Sequence, residues 1–153
     1  MIRIDGLEKR YGKFQALHPL TLHIKKGEVF GFLGPNGAGK SSTMKVLLGF
    51  MDPTEGSARL LGENVRDPRA RQRIGYLPEL TYYYRFLSVE ELLRFYARIF
   101  KLDRPETDRR IDQILKLVEL THVRRHQIKT YSKGMQQRAG LAQALINDPE
   151  PWL

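Results

Sequence analysis

At 153 residues the chain is one domain at most, long enough to bury a core. It has no cysteine, which excludes disulfide staples and thiolate metal sites. No apolar run approaches the roughly 18 residues of a membrane span, and the opening Met1-Ile-Arg-Ile-Asp5 is no signal peptide, so a cytoplasmic setting is expected. The net charge of +9 comes from dispersed residues such as Arg66, Arg69, Arg71, Arg73, Arg109, Arg110, Arg124 and Arg125. Solvated faces account for most of that, and nucleic acid is not the expected partner. His122 and His126, four apart, read as a surface pair without the third ligand a metal site needs.

In chain order, Ile2, Ile4 and Leu7 give the first eleven residues a strand-like start, and Leu20, Leu22 and Ile24 alternate in a second strand over 17–24. Lys26-Gly27 turns into Glu28-Val-Phe-Gly-Phe-Leu33, an almost continuous apolar run that predicts a strand buried on both faces. Then comes Gly34-Pro-Asn-Gly-Ala-Gly-Lys-Ser-Ser42, in which Gly34, Gly39, Lys40 and Ser41 keep the G-x-x-x-x-G-K-[ST] spacing of a phosphate-binding loop. A polyphosphate needs several backbone N–H groups converging on one spot. Gly34, Gly37 and Gly39 remove the β-carbons that would obstruct that approach. A helix follows, its Met44, Leu47 and Leu48 at helical spacing and Gly49 as its stop, and the N-terminal end of such a helix favours an anion. Lys40 can place its ammonium on the outer phosphates, and the Ser41 hydroxyl can bind Mg²⁺.

Asp52-Pro-Thr-Glu-Gly56 predicts a turn, residues 57–61 a short strand, Gly62 another turn, and Ile74-Gly-Tyr-Leu77 a second buried strand ended by Pro78. Ser88 and Glu91 form a capping box for a helix whose apolar face is Val89, Leu92, Leu93, Tyr96, Ile99 and Phe100. Asp103, Pro105 and Glu106 open another, with Ile111, Ile114, Leu115 and Val118 on one face. Tyr131-Ser-Lys-Gly-Met-Gln-Gln-Arg138 leads into a helix over 139–146, with Ser132 as N-cap and Gly134 beside it, a second helix start suited to an anion. By composition alone, Tyr11 serves equally well as a packed strand residue or as a face for stacking a base.

Taken together, the two stretches make the chain resemble the nucleotide-binding domain of ABC transporters over almost its whole length. Residues 34–42 resemble the family's Walker A, with Ser42 at the position of a second phosphate-touching hydroxyl. Ser132-Lys-Gly-Met-Gln136 resembles its signature, usually Ser-Gly-Gly-Gln, followed by the familiar Gln-Arg pair at Gln137 and Arg138. Tyr11, in Leu7-Glu-Lys-Arg-Tyr-Gly12, holds the place of the family's adenine-stacking aromatic, and Glu79 that of the Q-loop glutamine. Lys133 in place of glycine and Glu79 in place of glutamine resemble the branch serving ABC-2-type exporters.

The resemblance implies an α/β fold: a P-loop NTPase (RecA-like) core with an N-terminal antiparallel β-subdomain over about 1–80, and an inserted α-helical lobe carrying the signature over about 81–147. It implies ATP and Mg²⁺ as ligands. Tyr11, Gly34, Pro35, Asn36, Gly37, Ala38, Gly39, Lys40, Ser41, Ser42, Ser132 and Gly134 would bind nucleotide. Ser41 and Glu79 would hold the metal, with Lys40 and Glu79 in catalytic roles. The implied partners are an integral membrane permease and a second nucleotide-binding domain in a head-to-tail dimer, at the cytoplasmic face of the membrane. After Asn147-Asp-Pro-Glu150 the family continues into a strand carrying the Walker B aspartate, the catalytic glutamate and, later, a loop histidine. The sequence reads only Pro151-Trp-Leu153 there, so about the N-terminal two thirds of the domain is expected, and the chain alone is expected to hydrolyse little ATP. The other classes consistent with these motifs are a soluble ABC-type ATPase acting on nucleic acid or ribosomes, and a non-enzymatic nucleotide-binding fragment. Tyr82-Tyr-Tyr-Arg85, just past Glu79, is either a contact with the permease or buried under the helical lobe.

Overall fold

A computed structural model describes residues 1–78 and 84–150. The chain divides into two compact units, Met1–Gln72 and Arg73–Leu153.

The first unit is built on a hairpin of β1 (Ile2–Tyr11) and β2 (Phe14–Ile24), paired antiparallel from Ile2↔Ile24 to Tyr11↔Phe14. Gly12, with φ of 57°, supplies the positive-φ residue of their two-residue turn. β3 (Glu55–Leu60) pairs antiparallel with the other edge of β1, and β4 (Glu63–Asn64) extends β3, giving the order β2-β1-β3-β4. Leu61 and Gly62 both take positive φ in the turn between β3 and β4. Helix α1 (Lys40–Leu47) packs on β2 and β3. Val46, Leu47 and Leu48 are buried, as are Ile2, Ile4, Leu7, Leu17, Ala58 and Leu60 of the strands, and these apolar side chains make the core of this unit. The short helix α2 (Pro68–Arg71) starts at Asp67, whose carboxylate accepts from the Arg69 N–H.

Two expected strands are not strands. Residues 28–33 run without regular structure, and Val29 and Leu33 are 103% and 91% exposed. The apolar run states which surroundings this segment suits, those of a strand inside a parallel sheet, and among the described residues no strand pairs with it. Residues 74–77 lie outside every named strand as well. Ile74 and Gly75 are nevertheless buried, because they pack against the end of the last helix. The Asn147 side chain donates to the Ile74 carbonyl at 3.0 Å, and a β-carbon on Gly75 would lie 2.7 Å from the Ala144 carbonyl oxygen.

The second unit is helical. α3 (Val89–Ile99) begins with the expected capping box: Ser88 Oγ accepts from the Glu91 N–H, and the Glu91 carboxylate accepts from the Ser88 N–H. α4 (Arg104–Leu117) begins at Asp103, which accepts from the Glu106 N–H. α5 (Lys133–Leu145) starts six residues earlier than expected, because the Ser132 cap draws residues 133–138 into the helix. Val89, Leu92, Leu93 and Ala97 of α3 pack with Ile111 and Leu115 of α4 and with the small Ala139 and Ala142 of α5. Ile99, expected on the apolar face, is mostly exposed, and Ala97 takes the buried position. Arg94 bridges Glu90 and Asp108, and Arg124 bridges Glu90 and Asp112, which ties α3 to α4 and to the loop after it. The Arg124 guanidinium, with Arg94 beside it, holds the Glu90 carboxyl below the usual carboxylate range.

Candidate functional site

The phosphate-loop residues lie in the first unit. Pro35 to Ala38 are exposed, and Ala38 N–H closes a turn on the Pro35 carbonyl at 3.2 Å. Gly37 and Gly39 both take left-handed φ, 85° and 84°. Gly39 is also a point of close approach: a β-carbon there would lie 2.7 Å from Leu17 Cδ1 and 2.9 Å from the Ala16 carbonyl oxygen. The loop is thus pressed onto β2 where only glycine fits.

Gly39 is the N-cap of α1 and no side chain caps it. The first backbone donor satisfied within the helix is the Thr43 N–H, on the Gly39 carbonyl at 2.9 Å, and the Thr43 hydroxyl donates to the same oxygen. The preceding N–H groups of the first turn stay available to an external acceptor, at the end of the helix where the dipole favours an anion. Lys40 is the first helical residue, and its ammonium folds back to donate to the carbonyls of Gly34 at 2.5 Å and Pro35 at 2.7 Å. Ser41 is exposed and Ser42 half-buried immediately after it. A cation, two hydroxyls and a row of backbone donors therefore converge on the mouth of one loop. That set of groups matches the chemistry of a polyphosphate with its metal ion.

Tyr11 ends β1, 49% exposed, with its hydroxyl donating to Met51 Sδ at 3.1 Å and Lys9 Nζ 5.3 Å from its ring centroid. Sequence reasoning marked Tyr11 and missed both neighbours. The i, i+2 spacing of Lys9 could have placed it on the same strand face, whereas nothing local signals Met51, 40 residues away.

In the second unit, Ser132, Lys133 and Gly134 are exposed at the start of α5, with the Ser132 hydroxyl accepting from the Met135 N–H at 3.2 Å. A β-carbon on Gly134 would meet nothing within 4 Å, so space inside the chain does not require glycine there. Gln136 turns back to donate to the Tyr131 carbonyl, and the Tyr131 ring is buried with its hydroxyl on the Val123 carbonyl at 2.8 Å. Burial pushes the Tyr131 phenol up from its ordinary range. Glu79, Tyr82 and Tyr83 lie outside the described residues. Tyr84 is about half exposed, its ring edge-on to Phe86 and Phe95.

A glycine loop closing on an uncapped helix that begins Lys-Ser-Ser defines a P-loop nucleotide-binding protein. The more particular identification follows from comparison with known proteins. The chain belongs to the ABC transporter family, whose sequence profile matches residues 17–153. It is 46% identical over 140 residues to an uncharacterized ABC transporter ATP-binding protein of Synechocystis, covering 90% of this chain and 40% of that protein. It is 38% identical over 152 residues to the Nod factor export ATP-binding protein I of Cupriavidus pinatubonensis, covering 98% and 47%. Among solved structures, an ATP-binding subunit of an ABC transporter superposes with a TM-score of 0.89 at 29% identity, over 99% of this chain and 64% of that one. The fold is that of ABC ATPase domains, and the chain spans about half the length of the curated relatives it matches or less. Among the described residues no helix is long and apolar enough to cross a membrane.

Proposed function

We propose that this chain is the nucleotide-binding part of an ABC transporter subunit that couples ATP binding and hydrolysis to transport through a separate membrane permease. The observation that carries the proposal is the loop over 34–39 pressed onto β2 and opening on the uncapped first turn of α1. A triphosphate would take the N–H groups of that turn and displace the Lys40 ammonium from the two carbonyls it now holds, since an anionic oxygen is the stronger acceptor. Ser41 and Ser42 would supply hydroxyls, Tyr11 the face for the base, and Ser41 with Glu79 the protein's ligands to Mg²⁺. Magnesium, when bound, offsets charge developing on the phosphates.

Ser132 and Gly134 would meet the nucleotide of a second domain in a head-to-tail pair, where the open backbone at Gly134 lets a phosphate approach. The permease and the cytoplasmic membrane face complete the assembly. The relative from Cupriavidus pinatubonensis is named for export of Nod factor, which supports a transport role without specifying what is carried here.

Binding of a fluorescent ATP analogue in the presence of Mg²⁺ tests the central claim. Lys40→Ala should weaken binding about tenfold or more, the size of a hydrogen bond to a charged group, while leaving the thermal melt intact. A Lys40→Ala protein that binds as the wild type does would overturn it.

A further inference from the structure

Lys9 and Tyr11 sit two residues apart on β1, in contacts separate from those of the phosphate loop. Lys9 Nζ donates to the Asp52 carbonyl at 2.7 Å while lying 5.3 Å from the centre of the Tyr11 ring. The Tyr11 hydroxyl donates to Met51 Sδ at 3.1 Å. Residues 51 and 52 belong to the segment leaving α1, and that segment is pinned to β1 twice more. Thr54 N–H donates to the Glu8 carbonyl at 2.9 Å, and Thr54 Oγ1 accepts from the Arg10 N–H at 2.9 Å. Tyr11, though anchored through its hydroxyl and accompanied by a cation, keeps half its surface open.

A half-exposed tyrosine at a strand end is ordinarily free to change rotamer, and a lysine at such a place ordinarily extends into water. Here both are held, and what the arrangement presents is an aromatic surface of fixed orientation. We infer that Lys9, together with Met51, is a positioning residue that holds Tyr11 as a preformed platform for the purine base of a bound nucleotide. The inference rests on the reading of Tyr11 as the base contact. Fixing the ring in advance removes the cost of ordering it on binding. The ammonium also draws electron density from the ring, which favours stacking against an electron-rich purine. Because Met51 and Asp52 follow the helix whose first turn takes the phosphates, the base platform and the phosphate loop are tied to the same helix.

Affinities for ATP and for inorganic tripolyphosphate, each with Mg²⁺, separate this role from the alternatives. Lys9→Met should weaken ATP by no more than the roughly two- to fivefold an exposed cation–π contact is worth, since that contact already orders the ring before binding. It should leave tripolyphosphate unchanged. Lys9→Arg should restore ATP binding. Tyr11→Ala should weaken ATP about tenfold, as loss of base stacking does, and in that background Lys9→Met should add nothing. Met51→Leu, which keeps the volume and removes the sulfur acceptor, should weaken ATP without touching tripolyphosphate, and it serves if Lys9→Met does not fold. Equal weakening of both ligands by Lys9→Met would make Lys9 a phosphate ligand and overturn the inference. ATP affinity that ignores Lys9 and Met51, or a Lys9 effect that survives Tyr11→Ala, would overturn it too. A wild-type chain that binds neither ligand refutes the nucleotide site itself, a different failure from a wild type that binds ATP indifferently to residue 9.

Discussion

A methyl group added at residue 39 would collide with Leu17 and Ala16, whereas the same methyl at residue 37 would meet nothing within 4 Å, although both glycines have nearly the same left-handed φ. Gly37→Ala should therefore show only the cost of that backbone conformation, about 1 kcal/mol. Gly39→Ala adds a clash with β2 and should destabilise the first unit by at least about 2 kcal/mol. Urea unfolding of the two variants checks this, and equal midpoints would contradict it. The motif spacing marks both glycines without distinguishing them, because the neighbour that makes Gly39 indispensable comes from a strand some twenty residues upstream. Lys40 shows the same division. Its place at the head of a helix was legible, while its bonds to the Gly34 and Pro35 carbonyls are a property of the folded loop.

Helix starts were easier to read than helix ends. Ser88, Asp103 and Ser132 cap α3, α4 and α5 through contacts within three residues, and such short-range chemistry is written directly in the sequence. At the C-terminal ends, Gly49 closes α1 as expected: its N–H goes to the Val46 carbonyl and the Phe50 N–H to the Lys45 carbonyl. The same paired closure ends α3 at Lys101 and α4 at Glu119, both held at φ of 57° without being glycine. Nothing in residue type announces them. In these cases the apolar contacts beyond the helix fix the turn, and the burial of Leu102 and Leu120 after the two closures shows where that force comes from. Lys101→Gly relieves the left-handed strain, partly offset by the freer unfolded chain, and should stabilise by about 0.5–1 kcal/mol. A chemical-denaturation midpoint that falls would show that the Lys101 side chain contributes more than its backbone costs.

For the molecule as a whole, the segment over 28–33 has consequences. Val29, Phe30 and Leu33 present apolar surface that no described strand covers. Exposed apolar segments of extended chain pair with whatever they meet, so the 153-residue chain should self-associate as its concentration rises. Val29→Thr with Leu33→Thr should reduce that association without altering nucleotide affinity. Sedimentation velocity decides: a wild-type chain that stays monomeric throughout the series would contradict the expectation.

The sequence by itself pointed to the phosphate loop, the caps at Ser88, Asp103 and Ser132 and the family, because each depends on residue types at short, fixed spacings. Only the tertiary structure decided which apolar runs found partners and which glycine was sterically required. It alone brought Lys9, Tyr11 and Met51 together around one ring. Those outcomes depend on groups as far as 40 and 73 residues apart meeting in space, as Met51 meets Tyr11 and Asn147 meets Ile74, and local pattern carries no record of such meetings.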